Sequence, residues 1–214
     1  MALGKTRGPD GLRVEFYPRC WNIIGADFTE VISDIHNSGQ VPDFVKLGYT
    51  KLYTKKNSKT DLKNYRPISL LNCDLKIYMK CLANRLKPIL GTCLQTHQYA
   101  TPDKSATDAL KRLRNIFYYV KFKHIDGYFI SLDFEKAFDT VNHDWLEKTM
   151  VKLGFSQHFV KITKSLNCNV KCQVIVNGNF TEQICLRLGV RQGDPLSLYL
   201  FLISIEPLVS KLTS

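Results

Sequence analysis

The chain has 214 residues, 44% of them hydrophobic and 23% charged, the make-up of a globular protein with room for one compact domain or two small lobes. Thirty Lys and Arg against nineteen Asp and Glu leave a formal charge of +11, a surplus that favours a polyanionic partner. This composition excludes a collagen-like, low-complexity or disordered chain; no signal peptide is expected around Lys5, Arg7 and Asp10, and the most apolar run, Leu196 to Ile205, is far shorter than the ~20 residues that span a bilayer.

In chain order, Gly8-Pro9-Asp10-Gly11 is a turn signal. Phe16, Cys20, Ile23, Ile24, Phe28, Val31 and Ile35 then recur at helical spacing, and Gly39 ends the helix. Residues 44–54 read as a short strand and 55–64 as an exposed, lysine-rich loop, with Pro67 holding Arg66 extended. A long helix is expected from about Leu70, with Ile77, Cys81, Leu82, Leu86 and Ile89 on one side and a bend or restart at Pro88. A basic helix follows at 105–122. Gly127 to Leu132 reads as a compact apolar strand that delivers Asp133 at its end.

Helices are expected at 143–153 and 156–166, then a hairpin in which 170–176 and 180–188 flank Asn177-Gly178-Asn179. Asp194 is a strong N-cap, Pro195 suits the first helical position, and an apolar helix follows. Strands and helices mix without a βαβ period or an internal repeat, which makes the fold class α+β.

The basic residues cluster. Lys46 to Arg66 holds seven Lys or Arg and one acid, Asp61; Lys104 to Lys123 holds six against Asp108. Charge alone leaves nucleic-acid binding and a solvated face equally open. Seven cysteines without a CxxC read as reduced, mostly buried thiols of an intracellular protein, not a zinc or disulfide framework.

Two stretches carry chemistry: SLDFEKAFDTVNH at 131–143 and LGVRQGDPLS at 188–197. An aspartate at the end of a buried strand, here Asp133 with Asp139 six residues on, caps the next helix in the plainest reading. It is also how a protein presents a hard oxygen ligand to Mg²⁺, although one carboxylate cannot hold two ions.

These stretches, together with KTRGPDG at 5–11, KNYRPISLLNCDLKI at 63–77 and LANRLKPIL at 82–90, resemble in order and spacing the successive blocks of non-LTR (LINE-type) reverse transcriptases. The resemblance implies a right-hand polymerase fold without a thumb: fingers at 1–125 and a partial palm at 126–214, with a return into the fingers at about 143–188. It implies RNA-directed DNA synthesis from dNTPs on an RNA template and a DNA primer, with two Mg²⁺ ions.

By resemblance, Asp133 is the first catalytic aspartate and a metal ligand, and the carbonyl of Phe134 is a second ligand. Phe138 falls at the sugar gate, where a bulky ring excludes a ribose 2′-OH; it can equally be core. Arg66 matches the fingers arginine that clamps the triphosphate. Lys55 or Lys56 matches the neighbouring lysine. Gln192 and Gly193 match the loop beneath nucleotide and template, where glycine lets the backbone approach.

The chain departs from the family pattern at Arg7, Lys104 and Leu198, as a drifting copy would. It contains no Asp-Asp pair, so the aromatic-Ala-Asp-Asp hairpin, the thumb and the upstream endonuclease are expected to be missing from a fragment that is inactive alone. A non-catalytic RNA-binding fragment and a degenerate element without function are the alternatives. The expected setting is intracellular, cytoplasmic and nuclear, without a membrane.

Overall fold

The computed structural model describes residues 4, 6–54, 60–61, 64–94, 98–99 and 104–213. Among the described residues, six helices and five strands follow in a mixed α+β order: α1 (Phe16–Ser38), β1 (Gly48–Thr54), β2 (Tyr65–Leu70), α2 (Cys73–Cys93), α3 (Ala106–Lys123), α4 (His143–Lys152), α5 (Gln157–Asn167), β3 (Val170–Val176), β4 (Asn179–Phe180), β5 (Ile184–Leu186) and α6 (Ser197–Thr213). A short 3₁₀ turn, Asp43–Lys46, replaces the start of the strand expected at 44–54.

One sheet carries all five strands. β1 pairs antiparallel with β2 (Leu52 opposite Pro67, Tyr53 opposite Arg66) and parallel with β3, while β4 and β5 both pair antiparallel with β3. The β3–β4 turn is Asn177-Gly178, both at positive φ (51° and 84°), the conformation that two-residue hairpins favour. β2 went unread as a strand, because its period is interrupted by Pro67.

The core lies between α2, α4, α5 and α6. α2 runs continuously through Pro88 and buries Leu75, Tyr78, Met79, Leu82, Ala83, Leu86 and Leu90. Cys81 and Ile89, expected on that stripe, are exposed, so the packed face is rotated from the sequence reading. α6 adds Leu200, Leu202 and Ile203, with Leu196 just ahead of it. Side chains cap three helix starts: Ser105 and Asp108 form a reciprocal capping box on α3, and Asn142 and Ser156 cap α4 and α5. Gly39, at φ 66°, ends α1. All seven cysteines are free, but only Cys73 and Cys172 are buried; Cys20, Cys93 and Cys168 are partly exposed and Cys81 and Cys185 exposed, so the thiols are not mostly buried as expected.

Two buried cations join sheet and helices. The Lys46 ammonium donates to the carbonyls of Ser165 (3.1 Å) and Cys168 (2.8 Å) at the C-terminal end of α5, and pairs with Asp43 at 2.6 Å. Arg191 donates to the carbonyls of Lys46 (3.3 Å) and Leu166 (3.4 Å). A helix C-terminus leaves carbonyls unpaired and carries partial negative charge, so both side chains satisfy what α5 would otherwise leave bare. Lys46 therefore belongs to the interior, not to a basic surface.

The strand expected at Gly127–Leu132 is not formed. Among the described residues no strand lies beside 126–134, and a strand without a ladder partner has nowhere to place its N–H and C=O groups except water. Tyr128 is fully exposed and Ile130 and Leu132 are about three-quarters exposed; Phe129 touches Phe117 of α3 with ring centres 5.6 Å apart. No described helix is long and apolar enough to cross a membrane.

A candidate nucleotide cleft

The stretch after the unladdered segment folds into a tight turn. Lys136 sits at φ 51°, and its carbonyl receives the amides of Asp139 (2.8 Å) and Thr140 (3.2 Å). This turn is bonded to the Gly189 loop: the Gly189 amide donates to the Val141 carbonyl (2.8 Å), the Val190 amide to the Phe138 carbonyl (2.7 Å), and His143 Nε2 to the Gly189 carbonyl (2.8 Å). Gly189 lies at φ 86°, and a Cβ there would meet the Asp139 carbonyl oxygen at 2.8 Å. Glycine is required for that approach.

Beyond Gly189 the loop crosses to β2. The Ser69 amide donates to the Gln192 carbonyl at 2.8 Å. Gly193 follows at φ 108°, where a Cβ would stand 2.8 Å from the Ser69 carbonyl oxygen. The loop then turns into α6: Asp194 Oδ1 accepts the Leu196 amide at 2.7 Å, one turn ahead of the first helical residue. The Asp194 side chain is buried 3.9 Å from Arg191. Burial pushes its carboxyl above the ordinary aspartate range, with Arg191 pulling the other way, and burial lowers the Arg191 guanidinium in turn.

Turn, loop and β2 enclose a cleft of about 840 Å³, lined by Arg66, Asp133, Phe134, Phe138, Asp139 and Gln192 among others. Five residues singled out in sequence thus share one cavity. Asp133 and Phe134 are exposed at its edge. Phe138 is half-buried, 5.5 Å from the Phe201 ring of α6, so it is core on one side and cleft wall on the other. Arg66 and Ile68 also line an adjoining cavity of about 820 Å³ with Gly193, Lys76 and Thr6. Gly193 therefore stands on the far side of the loop from Gln192. Lys55 and Lys56 lie outside the described residues.

Asp139 was noted in the sequence but given no role. Its carboxylate receives Gln192 Nε2 at 3.4 Å on each oxygen, which ties the glutamine to the turn on the cleft wall. Thr6 was missed as a wall residue. The signal was the turn beside it: Gly11 donates to the Gly8 carbonyl, and the Asp10 amide to Asn72 Oδ1 (3.1 Å), pinning the segment to the start of α2.

The two-ion cage implied by the resemblance is not complete in these residues. Asp133, Glu135 and Asp139 line one cleft, yet among the described residues no group of three or more His, Cys, Asp or Glu is gathered closely enough to hold a metal ion. A single exposed carboxylate does not enclose two cations.

Residues 54–214 match the family model described as reverse transcriptase (RNA-dependent DNA polymerase), and the chain belongs to that family. It is similar to the transposon TX1 uncharacterized 149 kDa protein of Xenopus laevis, 34% identical over 97% of this chain and 16% of the relative. It also resembles the Pol polyprotein of the type-1 retrotransposable element R2 of Popillia japonica, 30% identical over 82% of this chain and 25% of the relative. The probable RNA-directed DNA polymerase from transposon BS of Drosophila melanogaster is 27% identical over 89% of this chain and 19% of the relative. The chain thus spans a quarter or less of each of these three relatives.

Proposed function

We propose that this chain supplies the nucleotide-holding part of an RNA-directed DNA polymerase of a non-LTR retrotransposon, acting on an RNA template and DNA primer. The observation that carries the reading is the cleft itself: residues from β2, from the turn at 133–139 and from the loop at 192 converge on one cavity.

In this reading the Arg66 guanidinium draws the triphosphate oxygens of a dNTP, the Phe138 ring occupies the space a 2′-OH needs, and Gln192, held by Asp139, lies along the sugar and base. Phosphoryl transfer is mostly positioning and charge neutralisation, and these are the groups that position. Mg²⁺ belongs to the reading as the ions that Asp133 and the Phe134 carbonyl would share with further ligands.

The division into fingers at 1–125 and a partial palm at 126–214 is part of the same proposal. It is supported by the pairing of β3 with β1, which carries residues of the 143–188 stretch back into the sheet of the earlier segment.

Titrating the chain with a deoxynucleoside triphosphate tests the reading. Arg66→Ala is expected to weaken binding about ten- to hundred-fold, the worth of a charge-assisted bidentate contact. Equal affinity in the wild-type and Arg66→Ala chains refutes it.

A further inference from the structure

α3 stands apart from the cleft, and none of its residues lines it. No residue of the helix is buried. Successive helical residues turn by about 100°, which sets Leu113, Phe117 and Val120 on one side. That side holds the less exposed residues Leu113 and Val120, and Phe117 meets Phe129. An ordinary amphipathic helix would show only polar groups on its opposite side. Here the opposite side carries three aromatic rings, Tyr118, Tyr119 and Phe122, with 66%, 59% and 78% of their surface exposed.

The rings are interleaved with cations. Lys111, Arg112, Arg114, Lys121 and Lys123 accompany them, and Asp108, in the capping box, is the one acid of the helix. The Lys123 ammonium lies 5.8 Å from the Phe122 ring centre. Arg112 donates to the Tyr99 hydroxyl at 3.2 Å, and Lys104 lies 5.7 Å from the Tyr99 ring centre, so the pattern continues beyond the helix.

We propose that this outward face of α3 binds single-stranded nucleic acid, as a second surface separate from the nucleotide cleft. Cations neutralise the phosphates, and exposed rings give unpaired bases a stacking platform without sequence preference. A duplex keeps its bases stacked inside and leaves such rings unused. A membrane-surface helix has the reverse layout, with its rings on the side away from its cations.

The test is fluorescence anisotropy of the chain with a labelled single-stranded oligouridylate, a duplex RNA of equal length, and phosphatidylserine vesicles in parallel. The oligouridylate is expected to bind with steep salt dependence. The double variant Tyr118→Ala/Phe122→Ala should weaken it about tenfold or more. Tyr118→Phe, which keeps the ring, should bind as the wild type does. Circular dichroism should show unchanged helix in each, because these side chains are exposed.

Arg114→Ala/Lys121→Ala should reduce the slope of log affinity against log salt by between about one and two. The proposal falls if the aromatic pair can be removed with less than a twofold effect, if duplex binds as tightly as single strand, or if vesicles engage the same rings. It falls equally if Arg66→Ala, and not the α3 variants, abolishes binding, since the strand would then sit in the cleft.

Discussion

Replacing Gly193 by alanine places a methyl group 2.8 Å from the Ser69 carbonyl oxygen, at a backbone φ of 108°. Such a φ costs a residue with a Cβ about 1–3 kcal/mol. Relieving the clash moves the loop off β2 and loosens the hydrogen bond from Ser69 to Gln192, worth about 1 kcal/mol net. The expected loss is therefore about 2–4 kcal/mol, against the roughly 5–15 kcal/mol that holds an ordinary domain folded. Urea unfolding reads it directly: with a slope of about 2–3 kcal/mol per molar, the midpoint should fall by about 1 M while the slope stays constant. Gly91 is the control. It lies inside α2 with open space where its Cβ would be, so Gly91→Ala should raise stability by about 0.5–1 kcal/mol. A Gly193→Ala chain that unfolds within about 0.5 kcal/mol of the wild type, using that same stability scale, would show that the close approach does not govern the loop.

Arg191→Lys should destabilise the chain by about 3 kcal/mol in the same titration, because one ammonium cannot serve the Lys46 and Leu166 carbonyls and Asp194 together. Burial holds the Asp194 carboxyl above its unfolded value, so its contribution to stability is fully present below the unfolded value and is lost as pH rises through the folded one. Asp194→Asn lacks that contribution, and its stability should fall more steeply than the wild type's on acidification from neutral pH to about 4; parallel profiles would contradict it. Phe138→Val should narrow the preference for deoxy- over ribonucleoside triphosphates in competition binding, and an unchanged ratio would leave the ring as core alone. Backbone amides of 126–134 should exchange with deuterium near their intrinsic rates while those of β1 are protected, and protection above about a hundredfold would reveal a ladder partner.

What was legible in the sequence was local. The Asn177-Gly178 turn depends on neighbouring residues and appears where the pattern puts it, whereas α6 begins at Ser197, two residues after the expected Pro195, because Asp194 accepts the Leu196 amide in a turn that precedes the helix. Gly127–Leu132 failed because an apolar run states a demand for burial without naming what satisfies it. The α2 stripe failed by a rotation, since Cys81 and Ile89 fit the period as well as Met79 and Leu90 do. The cleft was legible as five residues with roles by resemblance, but the tie between Asp139 and Gln192 was not, because it spans 53 positions. Nor was the burial of Lys46 and Arg191, whose carbonyl partners lie 119 and 145 positions away.

Those two buried cations divide the basic residues into populations that selection would treat differently. A copy of a mobile element collects substitutions, and loss of an exposed lysine such as Lys51 removes one increment of attraction to a polyanion, which a neighbour can restore. Loss of Lys46 or Arg191 removes hydrogen bonds to carbonyls at the end of α5. As copies diverge, the surface charge is expected to wander in position while keeping its sum, whereas these two sites are expected to stay fixed for as long as the fold is maintained. Substitution at either one would therefore mark a lineage in which the protein has stopped being used, sooner than any change in its overall charge.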